Sequence, residues 1–267
     1  MKTILVTLCF IAAAFFLSGC PATEKVRKEA PSPPPSANKP AEPGIVIRFA
    51  SLNLAKYTKR IEKTDLHQFS DVLKKEKIDV LAVQGISRYP GVTSRIDLVD
   101  ELSFDAEMRN VFGETIDLSG RQNGNAIFSA YPIRSSENSH YDGIRSSNFE
   151  SALQAVIDCG ARDVVFVSTL LPEKASTEDV ATCVNRLSEF PVYYINNPVI
   201  IGGNLPQSDV LRTIARFDAT RPVKEDDGPR VWFANDGSLK LLGQSVAHTQ
   251  FGPLMIAEFG VFKKTQP

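Results

Sequence analysis

The sequence predicts an α/β domain made of two sheets packed face to face with helices outside. Apolar runs of strand length recur from Ile45 to Phe262, and the first two are each followed by apolar residues at helical spacing. The same strand-and-helix rhythm returns from about Thr177, so the domain reads as two similar halves, the layout of a layered α/β architecture.

Taken in order, Ile45 to Leu52 reads as a buried strand, and Leu66, Phe69, Val72 and Leu73 fall at helical spacing, with Asp65 as the expected N-cap. Ile78 to Val83 is a second strand, and Ile96, Leu98, Val99 and Leu102 mark a second helix. Asn125 to Phe128 precedes a Tyr131-Pro132 turn; with Leu153 to Ile157 and Val164 to Ser168, separated by Gly160, it reads as antiparallel strand. A helix is expected from Thr177 to Phe190, with Val180, Val184 and Leu187 on one face, and Val199 to Ile201 is a short buried strand. Arg230 to Ala234, Leu239 to Val246 and Pro253 to Phe262 close the domain as strands.

Before Ile45 the composition differs. Met1-Lys2 supplies positive charge, Ile4 to Leu17 is apolar but short for a membrane span, and Leu17-Ser18-Gly19-Cys20 ends the run. This resembles a bacterial lipobox, which implies a signal peptide over 1–19 and a lipidated, palmitoylated amino terminus at Cys20 that attaches the chain to a membrane. Pro21 stands where an Asp would favour inner-membrane retention, so the expectation is an outer-membrane lipoprotein facing the periplasm. Residues 20–44 carry Pro33-Pro34-Pro35 and no apolar periodicity, which makes them a tether at about 3.1 Å per residue where extended. The globular domain is expected over 45–264.

The net charge is −1, with Lys and Arg scattered, so no basic stripe for nucleic acid is present. Within the domain Cys159 stands at a strand-end turn and Cys183 on the following helix, and in an oxidising compartment they are expected to form a disulfide.

The order of strand motifs resembles the endonuclease/exonuclease/phosphatase superfamily, DNase-I-like proteins with a four-layer α/β sandwich. In that family, as the resemblance implies, a divalent metal on carboxylates polarises phosphate and a His activates water. Ser51-Leu52-Asn53 keeps the Asn that ends the first strand. Val83-Gln84-Gly85 has Gly85 where a metal-binding Glu is expected. Gly124 to Ile133 matches a Gly-Asn-Ala-Ile-Leu-Ser-Arg-Tyr-Pro-Ile signature except at Phe128 and Ala130. Ser168-Thr169-Leu170-Leu171 puts Leu170 at a phosphate-contacting His, and Gly203-Asn204-Leu205-Pro206 puts Asn204 at an Asp. Thr249-Gln250-Phe251-Gly252-Pro253 puts Phe251 at the general base, and Trp232 replaces a further acid.

Asn53, Gly85, Leu170, Asn204 and Phe251 therefore offer neither charge nor proton transfer, and no catalytic or metal site is intact. The expectation is a pseudoenzyme without cofactor, acting as a binding or interaction module for a protein or small molecule, with Asn53, Asn125 and Asn204 as a residual pocket. The alternative is a phosphodiesterase or phosphatase, using Mg, rebuilt from loop residues among His140, Asp142, Asp209, Asp226, Asp227, Asp236 and His248.

Overall fold

Side chains of the first strand, β1 (Ile45–Asn53), sort by parity: Ile47 and Phe49 enter one core, Ala50 and Leu52 another. A strand buried on both faces must be covered from both sides, and the layers follow from that need. The computed structural model describes residues 42–55, 57, 60–89, 96–141, 151–171, 178, 181–183, 185–187, 189, 197–204, 217–220, 230–234 and 237–263. The signal peptide, Cys20 and the tether up to residue 41 lie outside the described residues.

In chain order the elements are β1, α1 (Lys63–Lys75), β2 (Val80–Ser87), α2 (Leu98–Ala106), β3 (Arg109–Leu118), β4 (Arg121–Ser129), β5 (Ile133–His140), β6 (Ser151–Asp158) and β7 (Asp163–Leu170). Then come β8 (Val199–Asn204), β9 (Phe217–Ala219), β10 (Arg230–Ala234), β11 (Leu239–Thr249) and β12 (Gly252–Val261). They form two six-stranded sheets, ordered β11-β12-β1-β2-β4-β3 and β5-β6-β7-β8-β10-β9. Both are mixed: β1 runs parallel to β2, and β7 parallel to β8, while the other pairings are antiparallel.

Three buried clusters mark the layers. Leu66, Phe69 and Leu73 of α1 and Leu98, Val99 and Leu102 of α2 pack on the outer face of the first sheet. Phe49, Ile127, Phe166 and Ile200 meet between the sheets, where the rings of Phe49 and Phe166 stack with centroids 5.4 Å apart. On the outer face of the second sheet, Val165, Val199, Phe217 and Trp232 pack with Cys183 and Leu187, which belong to helical residues 181–183 and 185–187. This is the expected sandwich of helix, sheet, sheet and helix. The sheets approach closely at Gly202, where an added Cβ would sit 2.8 Å from Ser51 Oγ and 2.9 Å from Phe49 Cζ, so only glycine fits there.

Several expectations need correction. Asp65 is not the N-cap of α1; Glu62 is, and Asp65 lies in the first turn with its carboxylate accepting from the Glu62 N–H at 2.9 Å. Of the three segments read as antiparallel, β4 belongs to the first sheet and β6 and β7 to the second, and the Ala130–Pro132 connection carries the chain across. Strands β3 and β5 were not expected. Both are sheet edges, and β5 reads Ile-Arg-Ser-Ser-Glu-Asn-Ser-His with mostly exposed side chains, so burial never imposed apolar alternation on it.

The disulfide is absent. Cys159 lies in the core between the sheets and Cys183 in the core outside the second sheet, so the sheet itself separates the two buried sulfurs.

Candidate functional site

Parallel pairing within each sheet sets the geometry of the site. Asn53 at the end of β1 is in register with Gln84 of β2, and Leu170 at the end of β7 is in register with Asn204 of β8. The Gln84 amide joins the two pairs. It is fully buried, and its Nε2 lies 3.2 Å from Ser51 Oγ, 3.2 Å from Ser168 Oγ and 3.3 Å from the Gly202 carbonyl oxygen, the last two on the opposite sheet. Ser168 Oγ in turn donates to the Val83 carbonyl oxygen at 3.0 Å. Asn53, Gly85, Leu170 and Asn204 are thereby brought to one end of the sandwich. The Asn204 side chain lies outside the described residues.

Gly85 is part of a bulge. Between Val83 and Ile86 the register against β4 shifts, so that Gln84 and Gly85 together oppose Asn125, and Gly85 takes φ +70°. Asn125 is fully buried. Its Nδ2 donates to the Ser151 carbonyl oxygen at 3.0 Å and lies 3.2 Å from Ser151 Oγ, while its Oδ1 has no hydrogen-bond donor among the described residues. Ser151 Oγ also meets Thr115 Oγ1 at 3.0 Å, and Thr169 Oγ1, which contacts the Tyr141 hydroxyl at 2.6 Å, donates to the Ser151 carbonyl oxygen. Burial pushes the Tyr141 phenol far above its usual range, so it stays neutral in this network.

Ser51, Gln84, Ser168, Asn125, Thr115 and Ser151 thus form a seam of neutral polar groups between the sheets, while Thr169 and Tyr141 pair on the outer face of the second sheet, and most of these residues were not singled out from the sequence. A signal was present: Ser51 shares the inward parity of Phe49, and Ser168 and Thr169 interrupt an apolar strand, both marks of a polar group with a buried partner.

The other sequence candidates do not join this seam. Phe251 sits at the β11–β12 hairpin and packs edge-on against Tyr57 and Phe69, with ring centroids 5.0 Å and 5.4 Å away, in the core between the first sheet and its helices. Trp232 is buried on the outer face of the second sheet. His140 and His248 are exposed on edge strands. Asp142, Asp209, Asp226, Asp227 and Asp236 lie outside the described residues.

A divalent cation does not fit the described groups. Hard cations take several oxygen ligands, carboxylates foremost. Gly85 supplies no side-chain oxygen, Asn53 Oδ1 already accepts from the Ala55 N–H at 2.9 Å, and among the described residues no cluster of His, Cys, Asp and Glu is able to hold a metal.

Two six-stranded mixed sheets with helices outside have clear counterparts among solved structures. An endonuclease/exonuclease/phosphatase from Beutenbergia cavernae superposes with a TM-score of 0.65 at 16% identity, over 81% of this chain and 72% of that one. The fold is that of the endonuclease/exonuclease/phosphatase proteins. A family protein of the same description from Leptotrichia buccalis matches with a TM-score of 0.60 at 10% identity, over 80% of this chain and 99% of its own. The human Nocturnin catalytic domain, solved with a bound sulfate anion, gives 0.59 at 12% identity over 81% and 94%. The sequence itself matches no protein-family model and no curated protein. At such identities the endonuclease/exonuclease/phosphatase likeness is one of fold, and side chains decide the chemistry.

Proposed function

We propose that this chain is a lipid-anchored envelope protein whose endonuclease/exonuclease/phosphatase-like domain binds a protein or a neutral small molecule and does not hydrolyse phosphate esters. One observation carries the non-catalytic reading: where β1, β2, β7 and β8 end together, the described side chains Asn53, Gln84, Ser168, Thr169 and Leu170 are neutral, and Gly85 has none. Metal-assisted hydrolysis needs a cation held by anionic oxygens and a group that takes a proton from water. Losing a general base alone typically slows such a reaction about a hundred- to ten-thousand-fold, and losing the Lewis acid is a further deficit of several kcal/mol.

The deciding assay offers the purified protein bis-nitrophenyl phosphate, DNA, RNA, inositol phosphates and sphingomyelin with magnesium, manganese or calcium. No turnover above the buffer blank is expected. Turnover that follows the protein through gel filtration and stops with chelator would overturn the proposal in favour of a site rebuilt from Asp142, Asp209 or Asp236.

Attachment rests on the sequence from Met1 to Pro43, with acylation at Cys20 and an outer-membrane location facing the periplasm. Mass spectrometry of the mature protein should show a lipidated Cys20 as its first residue. Full-length protein with an unmodified Cys20 would remove the anchor, and recovery with the inner membrane would remove the location alone.

A further inference from the structure

We infer that the position where the superfamily resemblance expects a metal ligand is filled in this chain by its own main chain, so that substituting Gly85 alone cannot return a carboxylate to it. The inference rests on the non-catalytic reading and deepens it: the ligand has been removed and its space closed.

A Cβ built on Gly85 would lie 2.7 Å from Ala55 Cβ and 2.8 Å from both Ala55 Cα and Ala55 N. Two of those atoms are backbone, which no rotamer change can move aside. The segment that brings Ala55 there is tied down on each side. Leu54 N–H donates to the Gln84 carbonyl oxygen at 2.8 Å, Ala55 N–H donates to Asn53 Oδ1 at 2.9 Å, and Tyr57 N–H donates to the Leu54 carbonyl oxygen at 2.9 Å. Leu54 is buried in the outer core of the first sheet, and Tyr57 rests on the Phe251 ring.

Gly85 itself has φ +70°, a left-handed conformation in which a β-carbon crowds its own backbone. Steric exclusion and backbone conformation thus act against the same side chain. Asn53, where the resemblance expects a contact with metal or phosphate, has its oxygen committed to the closing segment. The Phe251 ring, aligned with the general base, braces that segment through Tyr57. Loss of ligand, loss of base and closure of the space belong to one rearrangement.

The test is a double-mutant cycle on the full-length protein in detergent: Gly85→Ala, Ala55→Gly and the pair, with Gly85→Glu titrated by manganese and followed by electron paramagnetic resonance. Gly85→Ala should lower Tm by at least about 4 °C, and Ala55→Gly in the same chain should recover part of that loss, because it removes the nearest of the three crowding atoms. Gly85→Glu should either fail to fold or bind no stoichiometric manganese. A wild-type Tm for Gly85→Ala, full recovery of its Tm by Ala55→Gly although the main chain stays in place, or one manganese bound by a stably folded Gly85→Glu would each overturn the inference. Failure of the non-catalytic reading would look different: hydrolysis by the wild type, with the coupling between positions 55 and 85 unchanged.

Discussion

Replacing Gln84 tests whether the neutral seam holds the two sheets together. Gln84 is 0% exposed, and its amide reaches three partners, Ser51 Oγ, Ser168 Oγ and the Gly202 carbonyl oxygen, at 3.2–3.3 Å. Each such bond contributes a net of about 1 kcal/mol, so Gln84→Ala should lose about 3 kcal/mol. For a domain of this size each kcal/mol moves Tm by about 2–4 °C, which gives a fall of about 6–12 °C. Gln84→Glu separates bonding from volume. It keeps the shape but, when ionised, replaces the amide donor with negative charge facing the Gly202 oxygen. Burial would raise the new carboxyl above its unfolded value of about 4.3, so the variant keeps its full stability below that pH and loses it as pH rises through the folded pKa. Thermal melts by circular dichroism between about pH 4 and pH 8 should show the deficit of Gln84→Glu widening with pH and passing that of Gln84→Ala. A Gln84→Ala melting point within about 2 °C of the wild type, or a pH-independent Gln84→Glu, would refute the idea that this amide clasps the sheets.

Three further outcomes are expected. Phe251→Ala should destabilise by about 3–5 kcal/mol in chemical unfolding, and Phe251→His should also destabilise without producing hydrolysis, because the ring lies in a core beside Phe69. Asp79, whose Oδ2 accepts from the Arg48 N–H at 2.8 Å, is held above the usual carboxylate range by burial, which outweighs the opposing pull of that bond and of the Arg48 charge. Its contribution to stability is therefore complete below the unfolded pKa of about 3.9 and declines as pH rises through the folded value, so Asp79→Asn should gain on the wild type from acid toward neutral pH in a Tm–pH series. Burial pushes the Cys159 thiol up to about 12, with Asp158, Asp163 and Asp79 adding to it. Alkylation of the folded protein at neutral pH should therefore be slow there, and peptide mapping after unfolding without reductant should find both Cys159 and Cys183 labelled.

What the sequence by itself determined is what local pattern encodes. Runs buried on both faces over much of their length, such as Phe49 to Leu52 within the first strand and Val164 to Ser168, announce themselves by composition, and their order was enough to specify the sandwich and the likeness in fold. Gly85 and Leu170, which the resemblance sets against a carboxylate and an imidazole, were equally legible, since a residue's chemistry needs no structure to be noticed. Tertiary structure decided the rest. β5 carries little apolar alternation because an exposed edge asks for none, and Cys159 and Cys183 are divided by a sheet whose path depends on distant pairings. Phe251 aligns with a base yet turns into a core, because the hairpin that carries it closes over α1. Through the resemblance alone Gly85 reads as a position without its side chain; only the folded chain puts Ala55 against it and Gln84 across the sheets. Periodicity records which face of an element avoids water, while contacts between residues far apart in the chain depend on packing, which no local window contains.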